Sequence, residues 1–300
     1  MHSLRRIRGS VSGGMLVSLL WFTVSTAPAE VGVSLSGDAA SVNYYEVKSI
    51  IDDPEPVGIV WAAYNSTGPN RVILNPEGEA NGDGEPSSLA TQAGFPAVVW
   101  SKNSPGGYDV VLSTFVGDAW TAPAVLAGTA EDELDPVLVE DPSNGAVHLL
   151  YWVLDGSPRV MHRQAPADLS SWTAAVQVSQ PGELAARPSA VFHEGELHVA
   201  YEVHDLGYGS TPRQIVLATW DGQVFLSEMV AMTGHAEPNW AGVHSAEGTL
   251  WIDWIDAPDE MMWARQTSPG VWDPVQCELF ETTEERDYHV RAEIELLALQ

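Results

Sequence analysis

The sequence predicts an all-β fold and, within that class, a β-propeller of five blades. Two observations carry this prediction. A polar residue followed by proline recurs at steps of about fifty residues, at Glu85-Pro86, Asp135-Pro136, Arg187-Pro188 and Glu237-Pro238. A hydrophobic strand pattern that ends in an aromatic residue follows each dipeptide, at Trp100, Tyr151, Tyr201 and Trp254. A fixed period of this length, made of short strands, is typical of propeller blades.

The N-terminal segment, residues 1–29, predicts a secretory signal peptide. Three arginines precede an apolar run at 15–24, and small residues follow at Ala27 and Ala29, where a signal peptidase would cut. No later stretch is apolar over the length that a membrane span requires. We therefore expect an exported protein, periplasmic or extracellular, without membrane insertion, in which residues 30–300 form a single propeller domain.

The charge balance limits the classes of partner. The chain carries 41 acidic residues against 13 basic ones, and three of the basic residues lie in the predicted signal peptide. Such a surface repels nucleic acid and anionic membranes, so we expect neither as a partner. Cys277 is the one cysteine, so the exported fold has no internal disulfide. We expect a monomer that binds a glycan or a protein.

The elements of each period follow the same order. A turn glycine opens the second strand, at Gly94, Gly145, Gly195 and Gly248. The predicted blades span residues 40–80, 85–130, 135–182, 187–232 and 237–280. A sixth blade would have to combine 281–300 with 30–42, which contain too few strand patterns. His148 and His198 take equivalent places, and Trp251 takes that place in the last period, which predicts packing between blades.

The first period differs from the others. Its second and third strands are predicted at 58–61 and 71–74, and a loop composition then replaces a fourth strand. We therefore expect a terminal strand to complete the first blade and close the ring. The alternating segment 290–298 is one candidate for this strand, and the segment 31–35 is the other. Closure of the ring removes exposed sheet edges.

The first strands of propeller blades line a central channel, so their entrance residues meet at one mouth. The repeat predicts a ring that consists of Asn43, Glu85, Asp135, Arg187 and Glu237. Paired carboxylates can perform acid–base chemistry on a glycosidic bond, so the catalytic candidates are Glu85, Asp135 and Glu237. The ligand-binding candidates are Asp135, Arg187, Glu237, Trp240 and Tyr208. The alternative is that these polar residues only shape the start of each strand, since a polar residue before proline is common there.

The composition of the loop at 75–85 makes Ca²⁺ the one cofactor that the sequence suggests. Oxygen-bearing side chains alternate along it, and the candidate ligands are Glu79, Asn81 and Asp83. This stretch has the form of the first half of an EF-type calcium loop, but Ala90 stands where the closing acid would lie. A solvated acidic loop is the alternative, and the composition favours it.

The repeat pattern resembles two groups of exported propellers, the sialidase-like proteins and the five-bladed furanosidase-type glycoside hydrolases. The resemblance covers most of residues 40–280. It implies a carbohydrate ligand, and in the furanosidase type it implies acids on the first, third and fourth blades. The corresponding residues here are Asn43, Asp135 and Arg187. We therefore expect a propeller that binds a carbohydrate or a protein at its mouth without catalysis. A divergent glycoside hydrolase that uses paired carboxylates is the alternative.

Overall fold

The computed structural model describes residues 31–36, 43–50, 58–65, 68–75, 83–94, 96–116, 119–204, 213–232, 239–246, 248–257 and 260–279. Every regular element in these ranges is a β-strand, so the all-β prediction is confirmed for them. Within the same ranges, no helix has the length and apolar character of a membrane span.

The strands form five antiparallel sheets that follow one another along the chain. The first sheet contains β1 (Val31–Ser36), β2 (Asn43–Ile50), β3 (Gly58–Asn65) and β4 (Gly68–Ile73). The second contains β5 (Gly84–Ala90), β6 (Pro96–Ser104), β7 (Gly107–Val116), β8 (Ala119–Trp120) and β9 (Ala124–Ala127). The third contains β10 (Asp132–Glu140), β11 (Val147–Leu154), β12 (Arg159–Ala165) and β13 (Val176–Gln177).

The last two sheets have the same order. The fourth contains β14 (Leu184–His193), β15 (Glu196–His204), β16 (Arg213–Trp220) and β17 (Phe225–Met232). The fifth contains β18 (Asn239–Ala246), β19 (Thr249–Ala257), β20 (Glu260–Ser268), β21 (Val271–Trp272) and β22 (Gln276–Leu279). In each sheet the strands pair with their chain neighbours, and β9 and β22 add to β7 and β20.

The first strands of the five sheets are the inner strands, because they pack against one another in chain order. Strand β5 lies beside β1, β10 beside β5, β14 beside β10 and β18 beside β14. The inner strands β5, β10, β14 and β18 each also contact the second strand of the preceding sheet. This succession of sheets around adjoining inner strands is the arrangement of a β-propeller.

The first sheet corrects the prediction for its blade. The segment Val31–Ser36 pairs with β2 and lies beside β5, so it is the inner strand. The segments predicted as second and third strands are therefore the third and fourth. The segment 31–35, the second candidate for the completing terminal strand, thus belongs to the first sheet, but as its inner strand and not its outer one. Asn43 starts the second strand rather than the channel strand. The candidate closing segment 290–298 lies outside the described residues.

A β-bulge interrupts the inner strand at the same place in the last four sheets. In the second sheet Gly84 pairs with Ser101 and Ser87 with Val99, so two residues of β5 face one residue of β6. The same shift occurs at 135–136, 187–188 and 240–241. The facing residue is the predicted aromatic, and all four aromatics are buried: Trp100, Tyr151, Tyr201 and Trp254. Proline suits the second bulge position because an unpaired bulge residue needs no N–H donor.

The fifth sheet corrects a second prediction. Its bulge falls between Asn239 and Gly242, so Trp240-Ala241 takes the place of the polar residue and proline. A hydrogen bond between sheets supports this register: Leu138 N–H donates to Ser87 Oγ, and Val243 N–H donates to Ser189 Oγ, each over 3.2 Å. Glu237-Pro238, which lies outside the described residues, is three residues away from the equivalent position.

The hydrophobic core lies between neighbouring sheets. One cluster joins the second and third sheets, a second joins the third and fourth, and a third joins the fourth and fifth. Alanine and valine dominate where inner strands approach, as at Ala185, Ala186 and Ala241. Small side chains at these places allow the inner strands to lie close together around the channel.

Two histidines are buried between the third and fourth sheets. His148 Nδ1 and His162 Nε2 are 2.9 Å apart, and the rings stack. Phe192 of the fourth sheet packs against His148, and Trp220 and Phe225 pack against His162. Burial lowers the pKa of His148 to about 4, although nearby Asp141 acts in the opposite direction, and burial lowers the pKa of His162 to about 3. The predicted packing role of His148 is therefore confirmed.

We expect acid to destabilise the protein through these two histidines. Because the folded state keeps them neutral, their contribution to stability is present above the unfolded-state pKa near 6.5 and is lost as the pH falls towards 4 and 3. Each lowers the free energy of unfolding by about 1.4 kcal/mol per pH unit in that window. Thermal unfolding between pH 7.5 and 5 measures the effect. The variant His162→Leu should show a weaker pH dependence, since Leu217 holds the equivalent place in the fourth sheet. An equal slope in both proteins would contradict the assignment.

Candidate functional site

The inner-strand bulges hold most of the predicted mouth residues. Glu85, Asp135 and Arg187 are the first bulge residues of the second, third and fourth sheets, and Trp240 is the first in the fifth. They therefore share one level of four adjoining inner strands. We call these four residues the bulge ring. Four other candidates, Tyr208, Glu237, Glu79 and Asn81, lie outside the described residues.

The backbone at two members of the ring is strained. Asp135 has φ 46° and Arg187 has φ 53°, which is the left-handed region that glycine favours. Aspartate tolerates this region, but for an arginine it costs about 1 kcal/mol or more. Glycine at either position would remove the strain.

Asp135 is held by the indole of Trp152 on the second strand of the same sheet. Trp152 Nε1–H donates a hydrogen bond of 2.6 Å to Asp135 Oδ2. The indole is 3% exposed and belongs to the core cluster between the third and fourth sheets. Because packing fixes the donor, the carboxylate of Asp135 is fixed with it.

Arg187 is held by a carboxylate that is completely buried. Its Nη1 lies 3.9 Å from Glu202 Oε1, and the other oxygen of Glu202 lies 3.6 Å from His204 Nε2. The side chains of Glu202 and His204 are 0% exposed, whereas that of Arg187 is 23% exposed. A buried carboxylate requires a positive partner, and Arg187 supplies one while its outer part still reaches solvent.

Carboxylates on the inner strands are confined to two sheets. Strand β5 carries Glu85, and β10 carries four acids, whereas β1, β14 and β18 contain none. Burial is the main cause that raises the pKa of Glu133 on β10, and the neighbouring Asp109 and Glu131 add to it. Thr129 Oγ1–H donates to Glu133 Oε1 over 2.6 Å, so this acid has a structural partner. Glu85 and Asp135 are thus the acids that remain at ring level on these strands.

Asp83, the one candidate metal ligand within the described residues, binds protein donors. Asn75 Nδ2 and Trp100 Nε1 donate to its Oδ2, over 2.7 and 3.3 Å, and Asn103 N–H donates to its Oδ1 over 2.9 Å. The carboxylate is 1% exposed and fixes the start of β5. No group of three or more potential metal-binding side chains occurs in the part of the chain that the structure describes.

Trp152, Glu202 and His204 were absent from the residues predicted from the sequence. Their position in the repeat, directly after the aromatic residue or near it, is the sequence feature that could have identified them. Trp152 directly follows the aromatic Tyr151, and Glu202 directly follows Tyr201. A charged or hydrogen-bonding residue inside an otherwise apolar strand is unusual, because burial of an unpartnered polar group costs free energy.

Solved structures with the same overall fold include several carbohydrate-degrading enzymes. An α-L-arabinanase from Penicillium chrysogenum superposes with a TM-score of 0.55 at 14% identity, covering 77% of this chain and 76% of that one. An exo-β-1,3-galactanase from Phanerochaete chrysosporium gives 0.54 at 15% identity, covering 84% of this chain and 62% of that one. An α-L-arabinofuranosidase from Clostridium thermocellum gives 0.51 at 11% identity, covering 82% and 93%.

At this level of identity the likeness shows the fold, an all-β propeller, and no more. A structure of a protein of unknown function from Dyadobacter fermentans is similar to the same degree, with a TM-score of 0.52 at 14% identity over 65% of this chain and 68% of that one. The chain spans less than two thirds of the length of the galactanase. No family model and no curated protein matches the sequence.

We expect the loss of Arg187 to destabilise the fold more than the loss of an exposed arginine. Arg187→Met leaves the strained backbone unchanged and leaves Glu202 buried without its guanidinium, at a cost of about 1–3 kcal/mol. Arg265→Met is the matched control. Its contact with Asp273 is shorter, 2.7 Å, but the side chain is 46% exposed, so its loss should cost less than about 1 kcal/mol. Urea unfolding measures both, and adding Glu202→Gln to Arg187→Met should recover part of the loss. Equal costs for the two arginines would contradict this account.

Proposed function

We propose that the protein is an exported five-bladed propeller, with its ring closed, that binds a glycan at the bulge ring and does not hydrolyse it. The observation that carries this proposal is the pair Asp135 and Arg187. They stand at the same level of neighbouring inner strands, and buried partners hold both. A fixed carboxylate beside a fixed guanidinium offers an acceptor and donors to adjacent sugar hydroxyls.

A neutral glycan suits this ring better than an anionic one. The chain has 41 acidic and 13 basic residues, so an anionic ligand would be repelled over the whole surface. Glu202 also compensates the charge of Arg187. Trp240, at the equivalent bulge of β18, supplies an aromatic residue at ring level on which the apolar face of a sugar could stack.

A glycoside hydrolase is the alternative, and the folds of the arabinanase and the galactanase favour it. The distribution of acids argues against it. The furanosidase-type enzymes place acids on the first, third and fourth blades, whereas β1 and β14 contain no carboxylate. Among the described inner strands, only Glu85 and Asp135 place acids at ring level for hydrolysis, and Trp152 already donates to one oxygen of Asp135.

The proposal includes export and calcium binding, which the sequence leads us to expect. The basic and apolar segments within residues 1–29 support export. The alternating acids of the loop before β5 support a weak Ca²⁺ site that involves Glu79 and Asn81. Asp83 would contribute little, because protein donors occupy both of its oxygens.

The test is a binding screen of the exported protein against neutral oligosaccharides, including arabinobiose and β-1,3-galactotriose, followed by calorimetry on each hit. We expect Asp135→Ala to weaken binding of a hit about tenfold or more, since a hydrogen bond to a charged group contributes about 1.5–3 kcal/mol. We expect no release of reducing sugar from the same oligosaccharides over a day.

Three outcomes separate the alternatives. Release of reducing sugar that disappears in Glu85→Gln and in Asp135→Asn would establish the hydrolase. Binding that survives Asp135→Ala and Arg187→Met would place the glycan elsewhere on the protein. A screen without any hit would reject the glycan and favour a protein partner at the mouth. Gln266→Ala, on the outer part of the fifth sheet, is the control variant and should bind like the unmodified protein.

A further inference from the structure

The second strand places one residue beside each member of the bulge ring. In each of the last four sheets, the inner-strand residue just before the bulge pairs with the residue just after the buried aromatic. These pairs are Gly84 with Ser101, Leu134 with Trp152, Ala186 with Glu202 and Asn239 with Ile255. We call the four second-strand residues the buttress residues. They are Ser101, Trp152, Glu202 and Ile255.

Two of the buttress residues contact their bulge residue directly. Trp152 Nε1–H donates a hydrogen bond to Asp135, and Glu202 forms an ion pair with Arg187 over 3.9 Å. The chemistry is complementary in both sheets, with a donor facing the acid and an acceptor facing the base. Both buttress residues are 3% exposed or less, so neither reaches a ligand at the mouth.

In the other two sheets the buttress residues take the same register position. Ser101 pairs with Gly84, the residue before Glu85, and Ile255 pairs with Asn239, the residue before Trp240. The side-chain pairs that carry the inference are those of the third and fourth sheets.

We propose that Trp152 and Glu202 are positioning residues that fix the side chains of Asp135 and Arg187 before a ligand arrives, and that each of these two ring residues works only together with its own buttress. The effect of these residues on affinity rests on the proposed glycan-binding function. A side chain held in place before binding loses less conformational entropy when the ligand binds, so affinity depends on a residue that never touches the ligand. The ligand that fits is a neutral sugar unit with adjacent hydroxyls, which meets an acceptor at Asp135 and donors at Arg187.

The first test needs no ligand. In a ¹H–¹⁵N spectrum of the full-length protein, the indole resonance that disappears in Trp152→Phe belongs to Trp152. Asp135→Asn, which keeps the shape but removes the charge of the acceptor, should shift that resonance and leave the indole of Trp220 unmoved. An unmoved Trp152 resonance would overturn the pairing on which the inference stands.

The second test is a double-mutant cycle in glycan affinity, using the oligosaccharide that binds best in the screen. Trp152→Phe should weaken binding severalfold, Asp135→Asn should weaken it by at least as much, and the double variant should be no weaker than Asp135→Asn alone. Losses that multiply in the double variant would assign Trp152 a merely structural role. Trp220→Phe is the matched control, since this indole packs on Phe225 in the fourth sheet, and its affinity should be unchanged.

The fourth sheet provides an independent check. Glu202→Gln keeps the volume of the buried side chain and removes its charge, and it should weaken binding severalfold. In an Arg187→Met background the same change should have no further effect on affinity. If the unmodified protein binds none of the oligosaccharides, the proposed function and the effect on affinity fail together. The indole spectrum still decides whether Trp152 fixes Asp135.

Discussion

The β-bulge opposite a buried aromatic residue is the constraint on which the rest of this structure depends. Two residues of the inner strand must face one residue of the second strand, and a large ring fills the space below them. The bulge ends regular pairing at one level of the sheet and turns the first bulge residue out of the ladder. Because the same bulge recurs in four successive sheets, it places four residues at one level of the inner strands. A propeller without these bulges would have the same core and no ring.

The bulge also explains why the ring residues destabilise the folded state. Asp135 and Arg187 have backbone angles that glycine would adopt without strain, and Glu202 is a carboxylate without exposure to water. Each feature destabilises the folded state when taken alone. They offset one another where Arg187 compensates Glu202 and where the indole of Trp152 fixes Asp135. Glycine at the bulge with an apolar residue beneath it would give a more stable fold.

The period, the inner strands of four sheets and the buried aromatics could all be predicted from the sequence, because they depend on local alternation and on a repeated dipeptide. The first sheet could not, since Val31–Ser36 lacks the dipeptide, and its neighbours were assigned one strand too far inward. The proline signal gave the wrong position in the fifth sheet, where Trp240 and Ala241 take the two bulge positions. Trp152 and Glu202 were missed because their role depends on cross-strand register, which single-strand periodicity does not give.

The arrangement of charges separates binding from hydrolysis more clearly than the fold does. A retaining or inverting glycosidase needs two carboxylates that face each other, one of them free to exchange a proton. Here the inner strands of the first, fourth and fifth sheets carry none, and the fourth places a cation where the furanosidase-type enzymes place an acid. In our proposal, the ring therefore binds sugar hydroxyls and does not transfer protons to them.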